Sequence, residues 1–74
     1  MAGVELPSAE RCGRRLIKTD PLSERGYRLL MRALAQRGDR AAALILYEQL
    51  RGTLRNELGV DPSPTTSQLH RTLL

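Results

Sequence analysis

The amino-acid sequence predicts an all-α fold of about four helices. Leucine and alanine dominate its apolar residues, while Phe and Trp are absent and Tyr occurs twice. This mix favours helices over strands. No segment alternates apolar and polar residues with period two, as a half-buried strand would. Instead, proline, glycine and aspartate divide the 74 residues into segments whose apolar positions recur at helical spacing.

The first helix is predicted over about residues 8–18, after a flexible tail of residues 1–7. Ser8 is suited to cap it. Its apolar residues fall on one side of a helical wheel. They are Ala9, Cys12 and Leu16, with Ile17 at the edge. We therefore expect Cys12 to be a small buried apolar residue rather than a nucleophile.

The second helix is predicted over about residues 21–37, with Asp20 as its N-cap and Pro21 at its first position. Glu24 and Arg28 have the spacing of an i, i+4 ion pair. Its apolar stripe follows the i, i+3, i+4, i+7 pattern. The stripe consists of Tyr27, Leu30, Met31 and Leu34.

The third helix is predicted over about residues 40–58, between two glycine signals. Gly38 stands where a left-handed C-terminal cap ends the second helix, and Asp39 caps the third. The apolar stripe of the third helix consists of Ala43, Tyr47, Leu50, Leu54 and Leu58. Ile45 and Gly52 lie on its polar face, and Gly52 weakens the helix by about 1 kcal/mol relative to alanine.

A fourth helix is predicted over about residues 64–74. Two prolines in residues 60–64 exclude a continuous helix, and Ser63 caps a new helix that Pro64 opens. The apolar face of this helix consists of Leu69, Leu73 and Leu74. His70 is the only histidine, and we expect it on the surface of this helix.

The link between the second and third helices is short enough to force an antiparallel hairpin. The spacing around it matches the tetratricopeptide pattern, in which a small residue lets two backbones approach and aromatic residues fill the space between helices. The residues assigned to this hairpin are Tyr27, Leu30, Leu34, Gly38, Asp39, Ala43, Tyr47 and Leu50. We thus expect a tetratricopeptide-like antiparallel hairpin with one flanking helix on each side. The Asp61-Pro62 pair comes about two turns too late for an ordinary repeat, so the third helix is too long for one.

Several short segments carry a family resemblance. They are Asp20-Pro21-Leu22, Leu29-Leu30-Met31-Arg32-Ala33-Leu34, Gly38-Asp39, Ala43-Leu44, Tyr47-Glu48, Leu50 and Glu57-Leu58-Gly59-Val60-Asp61-Pro62-Ser63-Pro64. Together they closely resemble the bacterial transcriptional activator domain, over about residues 9–74. Ile45, Gly52, Thr53 and Thr65 depart from the family pattern.

The resemblance implies a partial domain, residues 8–74, that lacks its earlier helices. It implies a non-catalytic regulatory module of a bacterial transcriptional regulator, acting through dimerisation, positioning of a separate DNA-binding domain, or contact with the transcription machinery. The expected partners are proteins: a second copy, the missing N-terminal half, or that machinery. DNA is expected to be contacted only indirectly, because such activators bind it through a preceding winged-helix domain. A stand-alone tetratricopeptide-like adaptor and a truncated remnant are the alternatives.

Composition excludes several other functions. We expect no enzyme activity and no cofactor, because the sequence has no glycine-rich phosphate loop, and neither Cys12 nor His70 has a partner fixed by spacing. A single cysteine and a single histidine also predict neither a disulfide nor a metal site. No apolar run is long enough to span a membrane, and the N-terminus lacks a secretory pattern, so we expect a cytoplasmic protein.

Basic residues form two stripes at helical spacing in a chain of net charge +4. The first consists of Arg11, Arg14, Arg15 and Lys18, and the second of Arg25, Arg28 and Arg32. A solvated helix face and a surface for an acidic partner both explain such stripes. Specific DNA reading is not expected, because the third helix begins with apolar rather than base-reading residues. The first stripe, with Leu69 and Leu73, is the predicted interaction surface.

Overall fold

The computed structural model describes the backbone of residues 5–74 and the side chains from residue 8 onward. This part of the chain contains four α-helices. They are α1 (Glu5–Thr19), α2 (Glu24–Gln36), α3 (Arg40–Leu58) and α4 (Pro64–Leu73). No strand occurs within residues 5–74, which confirms the predicted all-α fold. None of these helices is long and apolar enough to cross a membrane.

Helix α1 differs from its prediction at its start and in its buried face. It begins at Glu5, so Ser8 lies inside the helix and does not cap it. The predicted tail falls partly outside the described residues, and its residues 5–7 are helical. Cys12 is exposed rather than buried. The neighbouring Gly13 is buried instead, because α1 turns that side toward α2.

Helix α2 begins three residues later than predicted because Asp20 caps a turn and not the helix. The Asp20 carboxylate accepts a hydrogen bond from the Leu22 amide at 3.0 Å, which is an Asx turn. The Ser23 side chain then caps α2 by accepting from the Gly26 amide at 3.2 Å. The sequence signal at Asp20-Pro21 was therefore correct for a boundary but wrong for the helix start.

Helices α2 and α3 form an antiparallel hairpin around Gly38. This glycine has a φ of +88°, a left-handed conformation that glycine adopts without strain. The Asp39 carboxylate accepts a hydrogen bond from the Ala42 amide at 3.2 Å and so caps α3. At the other end of α3, Gly59 has a φ of +68° and ends the helix. Both predicted glycine caps are present.

The hydrophobic core lies inside this hairpin and consists of two adjoining clusters. The first contains Leu30, Met31, Leu34, Ala43 and Tyr47. The second contains Tyr27, Leu50 and Leu54. Half-buried Ile17 from α1 and Leu46 from α3 pack against both clusters and join them. Leu58, expected to extend the apolar stripe of α3, is 57% exposed because the hairpin ends before it.

Two glycines bring α1 and α2 unusually close. A Cβ atom added to Gly13 would stand 2.9 Å from the Leu30 amide nitrogen and 3.0 Å from the Gly26 carbonyl oxygen. A Cβ atom added to Gly26 would stand 2.9 Å from the Leu16 Cβ atom. The two backbones therefore touch at positions where any side chain would separate them. A reading based on apolar periodicity misses this contact, because glycine carries no apolar side chain to count.

Candidate interaction surfaces

The residues assigned to the hairpin lie in the core rather than on a surface. Its leucines, tyrosines and alanine are all buried, with side chains at most 7% exposed. They are Tyr27, Leu30, Leu34, Ala43, Tyr47 and Leu50. Gly38 and Asp39 form the turn that joins the two helices. This set holds α2 and α3 together.

A buried polar junction fastens the start of α4 to the start of α2. Thr66 is fully buried, and its hydroxyl donates a hydrogen bond to Glu24 Oε1 at 2.7 Å. The same hydroxyl accepts a hydrogen bond from the Arg28 guanidinium at 2.9 Å. Glu24 Oε1 also accepts from the Ser63 amide at 2.9 Å. Glu24 and Arg28 thus meet through Thr66 and not as the direct ion pair expected from their spacing.

This junction resembles a capping box shared between two helices. In a capping box, an acidic residue in the first turn accepts from the amide of the helix's own N-cap residue. Here Ser63 is the N-cap of α4, and the carboxylate that accepts from its amide belongs to α2. Thr66 occupies the first-turn position where the acidic residue of a capping box normally stands. No sequence pattern predicts this arrangement, since the residues involved lie about forty positions apart.

The junction also changes the acidity of Glu24. Burial of the carboxylate raises its pKa, but hydrogen bonds from Ser63 and Thr66 and the positive charge of Arg28 lower the pKa by more. The net result is a pKa below the ordinary glutamate value. The charged form of Glu24 is therefore the one that holds α4 in place.

Helix α4 turns its predicted interaction residues inward. Leu69 and Leu73 are half-buried and pack against the first core cluster. His70, expected on the surface, is half-buried and stacks on Tyr47 of α3 with ring centroids 3.8 Å apart. The chain itself therefore covers much of the apolar face of α4. His70 lies against Tyr47 of another helix, and no local sequence pattern predicts this contact.

The first basic stripe lies on the exposed side of α1. Arg11, Arg15 and Lys18 are exposed, while Arg14 contacts Glu10 of the same helix at 3.0 Å. Glu10 also contacts Arg37, just after α2, at 2.9 Å. One carboxylate therefore holds two guanidinium groups. Such exposed pairs contribute only about 0–1 kcal/mol each to stability, so their main effect is on the distribution of surface charge.

The second basic stripe is divided by the fold. Arg25 and Arg32 are exposed, but Arg28 is half-buried and bonded to Thr66. Arg28 therefore has a structural role that its helical spacing did not indicate.

A groove runs along α2 between α1 and α3, which both pack on α2 and not on each other within the described residues. Two adjoining cavities of about 270 and 250 Å³ form it and share lining residues of all three helices. Tyr27, Leu30 and Leu34 form the floor. Ala42, Ile45 and Leu46 line the α3 wall, and Arg14, Ile17 and Lys18 line the α1 wall. Arg37 and Asp39 stand at one end.

A second open surface lies along the seam between α1 and α2. Leu29 shares one face of α2 with Gly26 and Ala33, which are both buried, and Gly26 lies against Leu16 and Ile17 of α1. Leu29 itself is half-buried, as are Ala9 and Leu16 on α1. Exposed Cys12 lies between these two residues along the helix and to one side of both on the helical wheel. These four residues, here called the α1–α2 seam, form an apolar face that the chain leaves partly uncovered.

Comparison with known proteins decides the family. The family model described as the bacterial transcriptional activator domain matches residues 6–74. The chain belongs to this family. The resemblance inferred from the sequence is thus confirmed, and the activator domain is of a kind found in bacterial transcriptional regulators.

The activator domain is also similar to much longer regulators. It is 44% identical over 59 residues to regulatory protein AfsR of Streptomyces griseus, a match covering 80% of this chain. The match to regulatory protein AfsR of Streptomyces coelicolor has the same identity and coverage. The aligned segment spans only 6% of each of these regulators. No solved structure matches the activator domain.

The described side chains offer no obvious place for a metal ion. Within this part of the activator domain, no group of three or more His, Cys, Asp or Glu residues is arranged to hold one.

Proposed function

We propose that this chain is a non-catalytic helical module through which a bacterial transcriptional regulator contacts other proteins in the cytoplasm. Family membership supports the regulatory part of the proposal. The observation that supports the interaction part is the α1–α2 seam, where Cys12 is exposed and Leu16 and Leu29 are only half-buried. Apolar faces of this kind are typical of stacked helices that lack one neighbour.

The seam is suited to receive one further helix. Gly13 and Gly26 hold α1 and α2 close together, so their flanking apolar residues form one continuous strip. A helix of a partner protein, or of a second copy, would cover this strip. Under this proposal α3 does not read DNA bases, because Arg40 is followed by three alanines and Leu44, and the Asp39 carboxylate is engaged in capping the helix.

A reporter assay tests the regulatory role. The full chain is fused to an unrelated DNA-binding domain whose operator lies upstream of a reporter promoter in a Streptomyces host. We expect the fusion to raise transcription several-fold above the DNA-binding domain alone. The control is a fusion carrying Leu50→Asp, which places a charge in the core and abolishes folding. Equal output from the folded fusion, the control and the DNA-binding domain alone would contradict the proposal and favour a stand-alone adaptor.

A further inference from the structure

We propose that the groove between α1 and α3 binds an acidic amphipathic helix of a protein partner. This inference rests on the proposed function and specifies the chemistry of one partner. It joins two features: the exposed Ile45 on α3, and the two residues of the basic stripe on α1 that line the groove, Arg14 and Lys18.

The α3 wall of the groove supplies the apolar half of the site. Ile45 is 60% exposed on a helix face that is otherwise polar. Leu46 on the same wall and Ile17 on the opposite wall are half-buried and pack against the core. A partner that covers Ile45 would remove its apolar surface from water, which is favourable in proportion to the area covered. Nothing in the packing of α3 accounts for an isoleucine at this position.

The α1 wall supplies positive charge. Arg14, Lys18 and Arg37 line the groove, and Asp39 is the carboxylate among its lining residues. The Asp39 carboxylate is engaged in capping α3. Glu10 lies outside the groove and contacts both Arg14 and Arg37, so it neutralises only one of their two charges. Lys18 and the remaining positive charge are complementary to an acidic partner.

The shape of the groove fits two turns of a helix. Its floor runs from Tyr27 to Leu34, about 10 Å at the rise of an α-helix. An occupant with apolar residues at i, i+4 and i+7 would place them on the floor and the α3 wall. Acidic residues on its flank would then face Arg14 and Lys18. A nucleic acid backbone fits less well, because phosphates would lie against Ile45 and Leu46.

Binding is measured by fluorescence anisotropy with a designed probe and the full chain. The probe is a fluorescein-labelled peptide of about 18 residues, five helical turns, with leucines on one face and glutamates on the other. A companion peptide carries lysine in place of every glutamate. We expect the glutamate peptide to bind with an affinity that falls as salt rises, and the lysine peptide to bind at least tenfold more weakly.

Matched variants locate the binding site. Ile45→Glu is compared with Leu58→Glu, because both residues lie on α3 with exposures of 60% and 57% and only Ile45 lines the groove. We expect Ile45→Glu to weaken binding about tenfold and Leu58→Glu less than twofold. On α1, Lys18→Glu is compared with Arg15→Glu, which makes the same change of charge away from the groove lining. We expect about a fivefold loss for Lys18→Glu.

Three results would overturn the inference. The first is an equal loss of binding for the groove variants and their matched controls, with helix content unchanged by circular dichroism. The second is equal binding of the lysine and glutamate peptides. The third is a short duplex DNA that binds more tightly than the glutamate peptide and depends on the same groove residues. The reporter assay does not use these peptides. A chain that does not bind the glutamate peptide but still activates the reporter would therefore contradict the groove proposal and leave the regulatory proposal intact.

Discussion

Gly13 and Gly52 both lie inside a helix, yet a methyl group added at each position would meet different surroundings. At Gly13 the added Cβ atom would overlap the backbone of α2, with 2.9 Å to the Leu30 amide nitrogen. Backbone atoms cannot move aside as a flexible side chain does, so the helices would have to separate. At Gly52 no atom lies within 4 Å of the added Cβ atom.

These surroundings predict opposite effects of alanine at the two glycines. Gly13→Ala is expected to destabilise the chain by about 1–3 kcal/mol, because overpacking outweighs the gain in helix propensity. Gly52→Ala is expected to stabilise it by about 0.5–1 kcal/mol, since only the propensity changes. Thermal unfolding followed by circular dichroism measures both. A melting temperature that rises for Gly13→Ala would contradict the close contact, and one that falls for Gly52→Ala would contradict the open surroundings of Gly52.

Single residues also show which positions could be assigned to the core or the surface from the sequence and which could not. Leu30, Ala43 and Leu50 were predictable as core positions because periodicity reports directly on burial in a hairpin. Cys12 and His70 were not, because their surroundings come from other helices. Cys12 is exposed where α1 turns Gly13 toward α2, and His70 stacks on Tyr47.

At the scale of elements, all four helices could be predicted, but not all of their ends. Local signals sufficed where the cap is a local contact, as at Asp39 and Ser63. They failed at α2, where Asp20 and Ser23 are both suitable caps and the Asx turn at Asp20 decides between them. The contact of α4 with α2 through Thr66 depends on residues far apart in the sequence, so no local pattern predicts it.

The attachment of α4 is expected to depend on pH through Glu24. Its pKa is lowered in the folded chain, so its stabilising effect is fully present above the ordinary glutamate pKa of about 4.3. That effect is lost as the pH falls through the lowered pKa of the folded state. Urea unfolding of the wild type and Glu24→Gln tests this. We expect Glu24→Gln to be less stable by about 1 kcal/mol at pH 7, where it lacks the charged acceptor.

The difference between the two proteins is expected to shrink as the solution is acidified. Protonated Glu24 and glutamine are both neutral, so the wild type loses its advantage. Glu48→Gln is the matched control, since Glu48 is exposed and pairs with Arg51 on its own helix. A Glu24→Gln difference that stayed constant between neutral and acidic pH would show that the carboxylate's charge does not hold α4.

At the scale of the whole molecule, the chain leaves more apolar surface exposed to solvent than its small core can cover. A chain of this size buries only about 60% of the surface that it exposes when unfolded. The four helices form a flat body of 40 × 27 × 18 Å, and the α1–α2 seam lies partly open on it. Covering the seam in an associated state would add stability that the single chain lacks.

Association is expected to make stability depend on protein concentration. The urea midpoint of the full chain, measured under reducing conditions to prevent a Cys12 disulfide, should rise with concentration. Cys12→Glu places a charge in the seam at an exposed position and should remove this dependence. Asn56→Glu makes the same change of charge on the exposed side of α3 and should preserve it. A wild-type midpoint independent of concentration would show that the seam does not drive self-association.

One oxygen atom of Glu24 has a topological consequence for the whole chain. It accepts hydrogen bonds from Ser63 and Thr66, which follow Glu24 by 39 and 42 positions. The chain between these contacts includes all of α3 and the turn at Gly38. These hydrogen bonds therefore fasten the open end of the hairpin, opposite to its turn. Together with the covalent chain between residues 24 and 66, they close a ring. To open, α3 must either strain that ring or first release the hydrogen bonds of Glu24 and Arg28 with residues 63–66.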